Sequence, residues 1–197
     1  LEANWAPELF LREWWKRLAD SGWSQPHWPL RWGGKGSSRA DALDVARTIR
    51  TFGAVPAPGG FATTMVGPTV LVHGTDDQKA RHLRGMIDGT DAFCQLFSEP
   101  NAGSDLAGLQ CRADRDGDEW VVNGQKVWTS GGRIANKAML VARTNFDVPK
   151  HAGISFFLID MTQDGIDMRP LREMTGRYFF NEVFITDARV PDADLIG

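Results

Sequence analysis

The stretch RADRDGDEWVVNGQKVW, residues 112–128, carries two hairpin-turn dipeptides, Asp116-Gly117 and Asn123-Gly124, with residues of strand type between and after them. Glycine tolerates positive φ without steric cost, and Asn and Asp tolerate it better than most residues, so such dipeptides close tight turns between paired strands. The stretch therefore predicts three antiparallel strands in a meander. Its hydrophobic period is about 2, where the residues before position 90 repeat at about 3.6, the helical value.

Working outward, further strands are expected at Ala92–Leu96, Lys137–Thr144, Gly153–Met161, Asp167–Glu173 and Phe179–Thr186, each bounded by turn residues. That number and spacing suggest a small barrel or sandwich. On the N-terminal side, Ala6–Asp20 places Leu9, Trp14 or Trp15 and Leu18 near helical spacing, and Ser21-Gly22 stops the run. Ser24–Gly36 is a loop by its proline and glycine content. Asp41–Thr51 repeats the helical pattern at Ala42, Val45, Ala46 and Ile49. Gly60–Gly74 reads as a buried helix that Pro68 bends. Thr75-Asp-Asp-Gln78 is a capping box for a helix through Asp88 that Gly89 ends. The fold class expected is α+β: an all-α domain over 1–91, then an antiparallel, β-barrel-like domain over 92–197.

Composition narrows the function. A net charge of -3 argues against a broad nucleic-acid surface. No stretch approaches the roughly 20 apolar residues of a membrane span. The first residues, with Glu2, Glu8 and Glu13 and no apolar run, do not read as a signal peptide. Two cysteines, Cys94 and Cys111, outside any Cys-x-x-Cys pair, suit reduced thiols in the cytoplasm. His27, His73, His82 and His151 are scattered without metal-ligand spacing, so no metal chemistry is expected. Six of the eight tryptophans fall before position 33, where packing of an irregular loop onto a core is the favoured reading.

Two segments carry candidate chemistry. Phe97-Ser-Glu-Pro-Asn-Ala-Gly-Ser-Asp105 follows a predicted strand and offers the Ser98 and Ser104 hydroxyls, with Gly103 to let backbone approach something flat or anionic. By itself it reads equally well as a polar turn. It is no serine-hydrolase site, since no Gly-x-Ser-x-Gly occurs and no histidine lies close in sequence. Lys126-Val-Trp-Thr-Ser-Gly-Gly132 ends the third predicted strand, with Trp128 where alternation would place one more strand residue. An aromatic plate beside hydroxyls and open backbone suits a flat, polar-edged cofactor. Standing alone, a core tryptophan at a strand end would be the better reading.

Taken together, Ser-Glu-Pro-x-Ala-Gly-Ser-Asp and, about two strands later, Asn-Gly-x-Lys-x-Trp-Thr-Ser-Gly closely resemble the acyl-CoA dehydrogenase family. The likeness extends to Trp28-Pro29 with Gly33-Gly34, to His73-Gly-Thr-Asp-Asp-Gln-Lys79 and to Val190-Pro-Asp-Ala-Asp-Leu-Ile-Gly197, and so covers nearly the whole chain. It implies a helical N-terminal domain and a middle β-domain, with a C-terminal helical bundle beyond this sequence. It further implies FAD as cofactor, held by Leu96, Phe97, Ser98, Gly103, Ser104, Trp128, Thr129 and Ser130. Leu96, Phe97 and Ser98 would lie along the pyrimidine edge of the flavin, Trp128 beside its ring and Ser130 near N5. Ser104 would also meet the acyl-CoA near its phosphopantetheine arm, and Arg177 is a further candidate for a phosphate contact. Serines stand at 98 and 130 where many members have threonine, and Asn101 replaces a frequent glycine, tolerable because Asn accepts left-handed backbone.

The activity implied is α,β-dehydrogenation of an acyl-CoA thioester, part of fatty-acid or other lipid catabolism. Electrons would pass to an electron-transfer flavoprotein or similar acceptor, and the enzyme would be a homo- or hetero-oligomer, dimer or tetramer. The catalytic base, usually a glutamate of the bundle, is expected outside these residues. Glu99 reads as structural, so no catalytic residue is assigned in this chain, and residues 1–197 alone are expected to be inactive. An acyl-CoA oxidase, a flavin monooxygenase or a non-catalytic acyl-CoA-binding partner subunit of a mixed oligomer fits the same residues.

Overall fold

The computed structural model describes residues 1 and 4–197; Glu2, counted above among the N-terminal acidic residues, lies outside them. The chain forms two compact units, helical over Leu1–Asp91 and sheet-bearing over Ala92–Gly197.

In the first unit the helices are α1 (Leu11–Asp20), α2 (Arg39–Thr51), α3 (Gly67–His73) and α4 (Asp76–Asp88). α1 starts later than its periodicity suggests. No side chain caps it, and residues 6–9 form a turn closed by Leu9 N–H to the Ala6 carbonyl; the first helical bond is Trp14 N–H to Phe10 O. α2 starts earlier, because Ser38 and Asp41 form a capping box that the periodicity does not show. Over Gly60–Gly74 the expected helix forms as one run, residues 61–73, in which Ala62–Val66 is a turn of π-helix leading into α3. Pro68 sits in the first turn of α3. It has no N–H for the carbonyl of Thr64 and its ring crowds that position, so the wider turn just before it relieves the conflict. α4 forms as expected: Thr75 Oγ accepts from Gln78 N–H, Gln78 Oε1 accepts from Thr75 N–H, and Gly89 is left-handed at φ 75°.

The early tryptophans divide. Trp14 and Trp28 are buried, and Trp14 Nε1 donates to the Val55 carbonyl at 2.6 Å. Trp23 and Trp32 instead hold cations over their rings, Lys35 at 5.0 Å and Arg31 at 4.7 Å. Packing is therefore only part of what these indoles do.

The second unit holds β1 (Phe93–Leu96), β2 (Arg112–Asp116), β3 (Glu119–Ser130), β4 (Lys137–Arg143), β5 (Ile154–Asp160), β6 (Ile166–Pro170), β7 (Phe180–Pro191) and β8 (Leu195–Ile196). They make one sheet in the order β6-β7-β3-β2-β4-β5-β8, with β1 paired to β4. Most pairs are antiparallel, but β1 runs parallel to β4, and β2 adds a parallel pair, Arg112 with Arg143. β1 and the start of β2 thus share one edge of β4, and residues 97–111 leave the sheet between them. Alternating inward residues, among them Leu96, Val122, Leu140, Phe157, Val183 and Val190, form the core.

The expected meander over 112–128 is a single hairpin. Gly117 at φ 66° opens the turn between β2 and β3, as its dipeptide suggests, but Asn123-Gly124 makes no turn and β3 runs straight through it. Val121 and Val122 are already paired with Asp114 and Ala113, so the chain has no free strand on which to fold back. Gly124 serves packing instead, since a Cβ there would stand 2.7 Å from Cys111 Cα. Asn123 exchanges two hydrogen bonds with Asp187 across a bulge on β7. The strand expected from Phe179 starts at Phe180. Tyr178 and Phe179 are exposed in the loop before β7, set off by the left-handed Gly176.

Candidate functional site

The end of β3 is irregular where the second candidate segment begins. Lys126 pairs with Val183 and Thr129 with Asn181, so Val127 and Trp128 together oppose Glu182 alone. Such a bulge shifts the alternation of everything after it. Val122 and Lys126 point into the protein, and plain alternation would send Trp128 the same way. The bulge turns it outward instead, and the indole is 60% exposed. Trp128 adopts φ 62°, a left-handed conformation that costs a non-glycine residue roughly 1–2 kcal/mol. Its ring is steadied edge-on by Phe180, with centroids 5.9 Å apart.

Thr129 and Ser130 then separate. Thr129 is 1% exposed, and its Oγ1 has no hydrogen-bond partner, so its side chain lies on the face away from Trp128. Its carbonyl accepts from Asn181 Nδ2 at 2.9 Å, which pins the bulge from β7. Ser130 is half-buried at the strand end, opposite Phe180, and left-handed Gly131 follows.

The first segment meets β3 here. Val127 N–H donates to the Ser98 carbonyl at 2.9 Å, which brings Ser98 beside the bulge. The Leu96 side chain is wholly buried in the sheet core, and Phe97 packs edge-on against Phe156 at 6.4 Å. Both therefore turn only backbone towards any ligand. Ser98 is half-buried, and among the described residues its N–H has no backbone acceptor.

Gly103 and Ser104 are exposed, farther along the loop, and a Cβ at Gly103 would meet nothing within 4 Å. Beside them Asp105 binds Lys150 at 2.7 Å, and this ammonium holds the Asp105 carboxyl below its usual range. Asn101 does not use the left-handed freedom expected of it; among the described residues only Trp128 and Asp187 combine a side chain with positive φ. Arg177 is exposed in the loop before β7. Of the sequence-picked residues, then, Leu96, Phe97 and Ser98 are brought to Trp128, Thr129 and Ser130. The structure gives no contact linking Gly103, Ser104 or Arg177 to that group.

Beneath this group lies a charged pair that the motifs contained but sequence reasoning did not single out. Lys126 is 0% exposed, and its ammonium donates to Glu99 Oε1 at 2.8 Å, Val141 O at 2.8 Å and Phe97 O at 3.1 Å. Glu99, 8% exposed, also accepts from Gln110 N–H at 2.7 Å and Cys111 N–H at 2.9 Å. Every ammonium proton and both carboxylate oxygens are thus engaged, as a buried pair requires. Held through both oxygens and almost fully buried, Glu99 suits a structural residue rather than a base. The only signal for the pair was a lysine standing where strand alternation points inward. Nearby, burial pushes the Cys111 thiol up to about 11 and that of Cys94 up to about 12, so both stay protonated.

Chemically, the group is an exposed aromatic plate close in the fold to two serines and to the Ser98 N–H, which has no backbone acceptor among the described residues. Its donors are neutral. That combination fits a flat ring with a polar edge better than it fits a metal or a phosphate.

Comparison with known proteins matches both units of the chain to one family. The family model described as acyl-CoA dehydrogenase, N-terminal domain, matches residues 2–90, and that of the acyl-CoA dehydrogenase middle domain matches residues 94–188. Acyl-CoA dehydrogenase FadE34 of Mycobacterium tuberculosis is 45% identical over 91% of this chain and 25% of its own length. Acyl-CoA dehydrogenase IpdE1 of the same organism is 41% identical over 94% of this chain and 48% of its own length. Among solved structures, the ChsE4-ChsE5 complex from Mycobacterium tuberculosis superposes with a TM-score of 0.78 at 38% identity, covering 95% of this chain and 48% of the matched one. The chain spans half or less of the length of these relatives.

Proposed function

The chain belongs to the acyl-CoA dehydrogenase family, and from that membership we propose that the face around Trp128 receives FAD in an enzyme that desaturates an acyl-CoA thioester between Cα and Cβ. The observation that carries this is the left-handed bulge, which holds an indole out of the core, at a cost in strain, beside hydroxyls that could meet a ring edge. When bound, FAD supplies the acceptor for the hydride that leaves Cβ.

The residues of this chain do the rest by placement. Trp128 offers a flat surface for the ring, with Phe180 packed edge-on against the indole. Ser98, through its N–H and hydroxyl, offers donors to the pyrimidine edge, where negative charge gathers on reduction; preorganised donors aimed at developing charge are the strongest electrostatic aid a site provides. Ser130 offers a hydroxyl near the hydride-accepting position, and Leu96, Phe97 and Thr129 contribute backbone only. Gly103 and Ser104 would lie along the acyl-CoA. In this reading the base that takes the α-proton belongs to the C-terminal bundle that family membership implies, and Glu99, bound on both oxygens, is not that base. The two compact units then serve as the N-terminal and middle domains of the enzyme.

The whole enzyme would work as a homo- or hetero-oligomer, as the two-component ChsE4-ChsE5 relative suggests, and would pass electrons to an electron-transfer flavoprotein or similar acceptor. Two free, buried thiols suit a reducing compartment such as the cytoplasm.

The test is purification of the full-length protein and anaerobic addition of a panel of straight-chain, branched and polycyclic acyl-CoA esters. One bound FAD and bleaching of its visible absorbance by at least one ester is the expected result. Electron transfer to an acceptor without hydrogen peroxide marks a dehydrogenase, and peroxide marks an oxidase. A protein that keeps FAD but is bleached by no ester, and lacks a bundle glutamate, is a non-catalytic partner subunit, and the activity proposed here is then wrong.

A further inference from the structure

We propose that Glu99 and Lys126 are positioning residues for the flavin site, fixing the Phe97–Ser98 peptide so that its N–H faces the ring. This rests on the FAD reading above and deepens it. The carbonyl of Phe97 and the N–H of Ser98 belong to one planar peptide unit, so a donor that holds the carbonyl in one direction sends the N–H in the opposite one. Lys126 is that donor, at 3.1 Å. The next carbonyl, that of Ser98, is held by Val127 N–H at 2.9 Å. Both peptides flanking the Ser98 side chain are therefore anchored on β3, at the two residues just before the indole. Its own N–H is left without a backbone acceptor among the described residues.

Lys126 cannot swing away. Its other two protons are taken by Glu99 and Val141, and Glu99 is held by two backbone N–H groups in turn. A cation donating to an amide carbonyl also polarises the unit and makes its N–H a stronger donor, the ordinary cooperativity of linked hydrogen bonds. Stability is a poor explanation for the pair. Apolar residues of similar volume often replace a buried ion pair at no net loss, so a charged pair retained directly under a binding loop points to what it does for the loop.

The experiment uses the full-length holoprotein with Lys126→Met and the double variant E99Q/K126M, and Val190→Ala as a core substitution away from the loop. FAD dissociation constants, flavin visible spectra and reduction potentials are measured where circular dichroism shows each protein folded. The positioning role predicts FAD binding at least tenfold weaker and a displaced flavin absorption band in both Lys126 variants. Val190→Ala should lower the thermal midpoint and leave both readouts unchanged. Wild-type affinity and spectrum in the folded double variant overturn the positioning role and leave the FAD reading standing, whereas a wild-type protein that binds no FAD overturns that reading and this one with it. If neither Lys126 variant folds, amide exchange in the wild type decides: exchange at Ser98 slows at least tenfold on adding FAD while Cys111 is unaffected, and unchanged exchange at Ser98 refutes the proposal.

Discussion

Trp128 shows at the scale of one residue how stability and function pull apart. Its backbone is left-handed, its ring is mostly in solvent, and its ring contact is the edge of Phe180. A large apolar residue in this state is a poor choice for folding and a good one for holding a flat ligand. Trp128→Gly should therefore relieve the left-handed strain, and the urea midpoint of the variant should equal or exceed that of the parent. FAD affinity should fall at least tenfold, about 1.4 kcal/mol. A variant destabilised by more than about 1 kcal/mol would show that the indole is packed as a structural residue. The motif around Trp128 was legible through its resemblance to a family. Its outward orientation was legible only from that resemblance, because strand alternation points the side chain inward and the bulge turns it out.

At the scale of elements, what could be read from the sequence depended on how far apart the deciding residues lie. α4 was legible in full: its capping box spans Thr75 to Gln78 and its stop is Gly89, all within one local segment. β3 was not, because its course through Asn123-Gly124 is imposed by β7, about 60 residues later. The Asn-Gly pair has the right chemistry for a turn, and the sheet overrides it. The supports of the site were hidden for the same reason: Glu99 and Lys126 are 27 residues apart, and Asn181 and Thr129 are 52 apart. The contrast yields a paired prediction. Gly124→Ala drives a Cβ against the Cys111 backbone, which cannot yield cheaply, and should cost about 1–3 kcal/mol in denaturant unfolding. A hairpin turn at 123–124 would make the same change a local matter of φ with no dependence on Cys111. Adding Cys111→Ala distinguishes the two: removing the sulfur, which a Cβ would meet at 2.8 Å, should recover part of the loss, and strict additivity would contradict the packing account.

For the whole molecule, the question is what 197 residues accomplish without the remainder of a longer relative. The sheet-bearing unit is well cored, yet it exposes Trp128, Ile134, Met174, Tyr178 and Phe179, and Phe179 and Trp128 both meet Phe180 edge-on. Aromatic surface at one end of β3 and β7 is more than scattered exposure would produce, and apolar patches of this kind mark surfaces that bind something. In the full protein the proposed occupants are the cofactor and the rest of the enzyme. Expressed by itself, the polypeptide 1–197 should fold, hold little FAD, desaturate no acyl-CoA and associate as its concentration rises. Light scattering after size exclusion, with flavin absorbance recorded on the same peak, checks these together. Trp128→Ser combined with Phe179→Ser should shift the association to higher concentration, because both changes replace exposed apolar surface with a hydroxyl. A monomer at high concentration carrying stoichiometric flavin would mean that residues 1–197 hold the cofactor on their own. The base would then have to be sought among the carboxylates of this chain, beginning with those not already bound on both oxygens as Glu99 is.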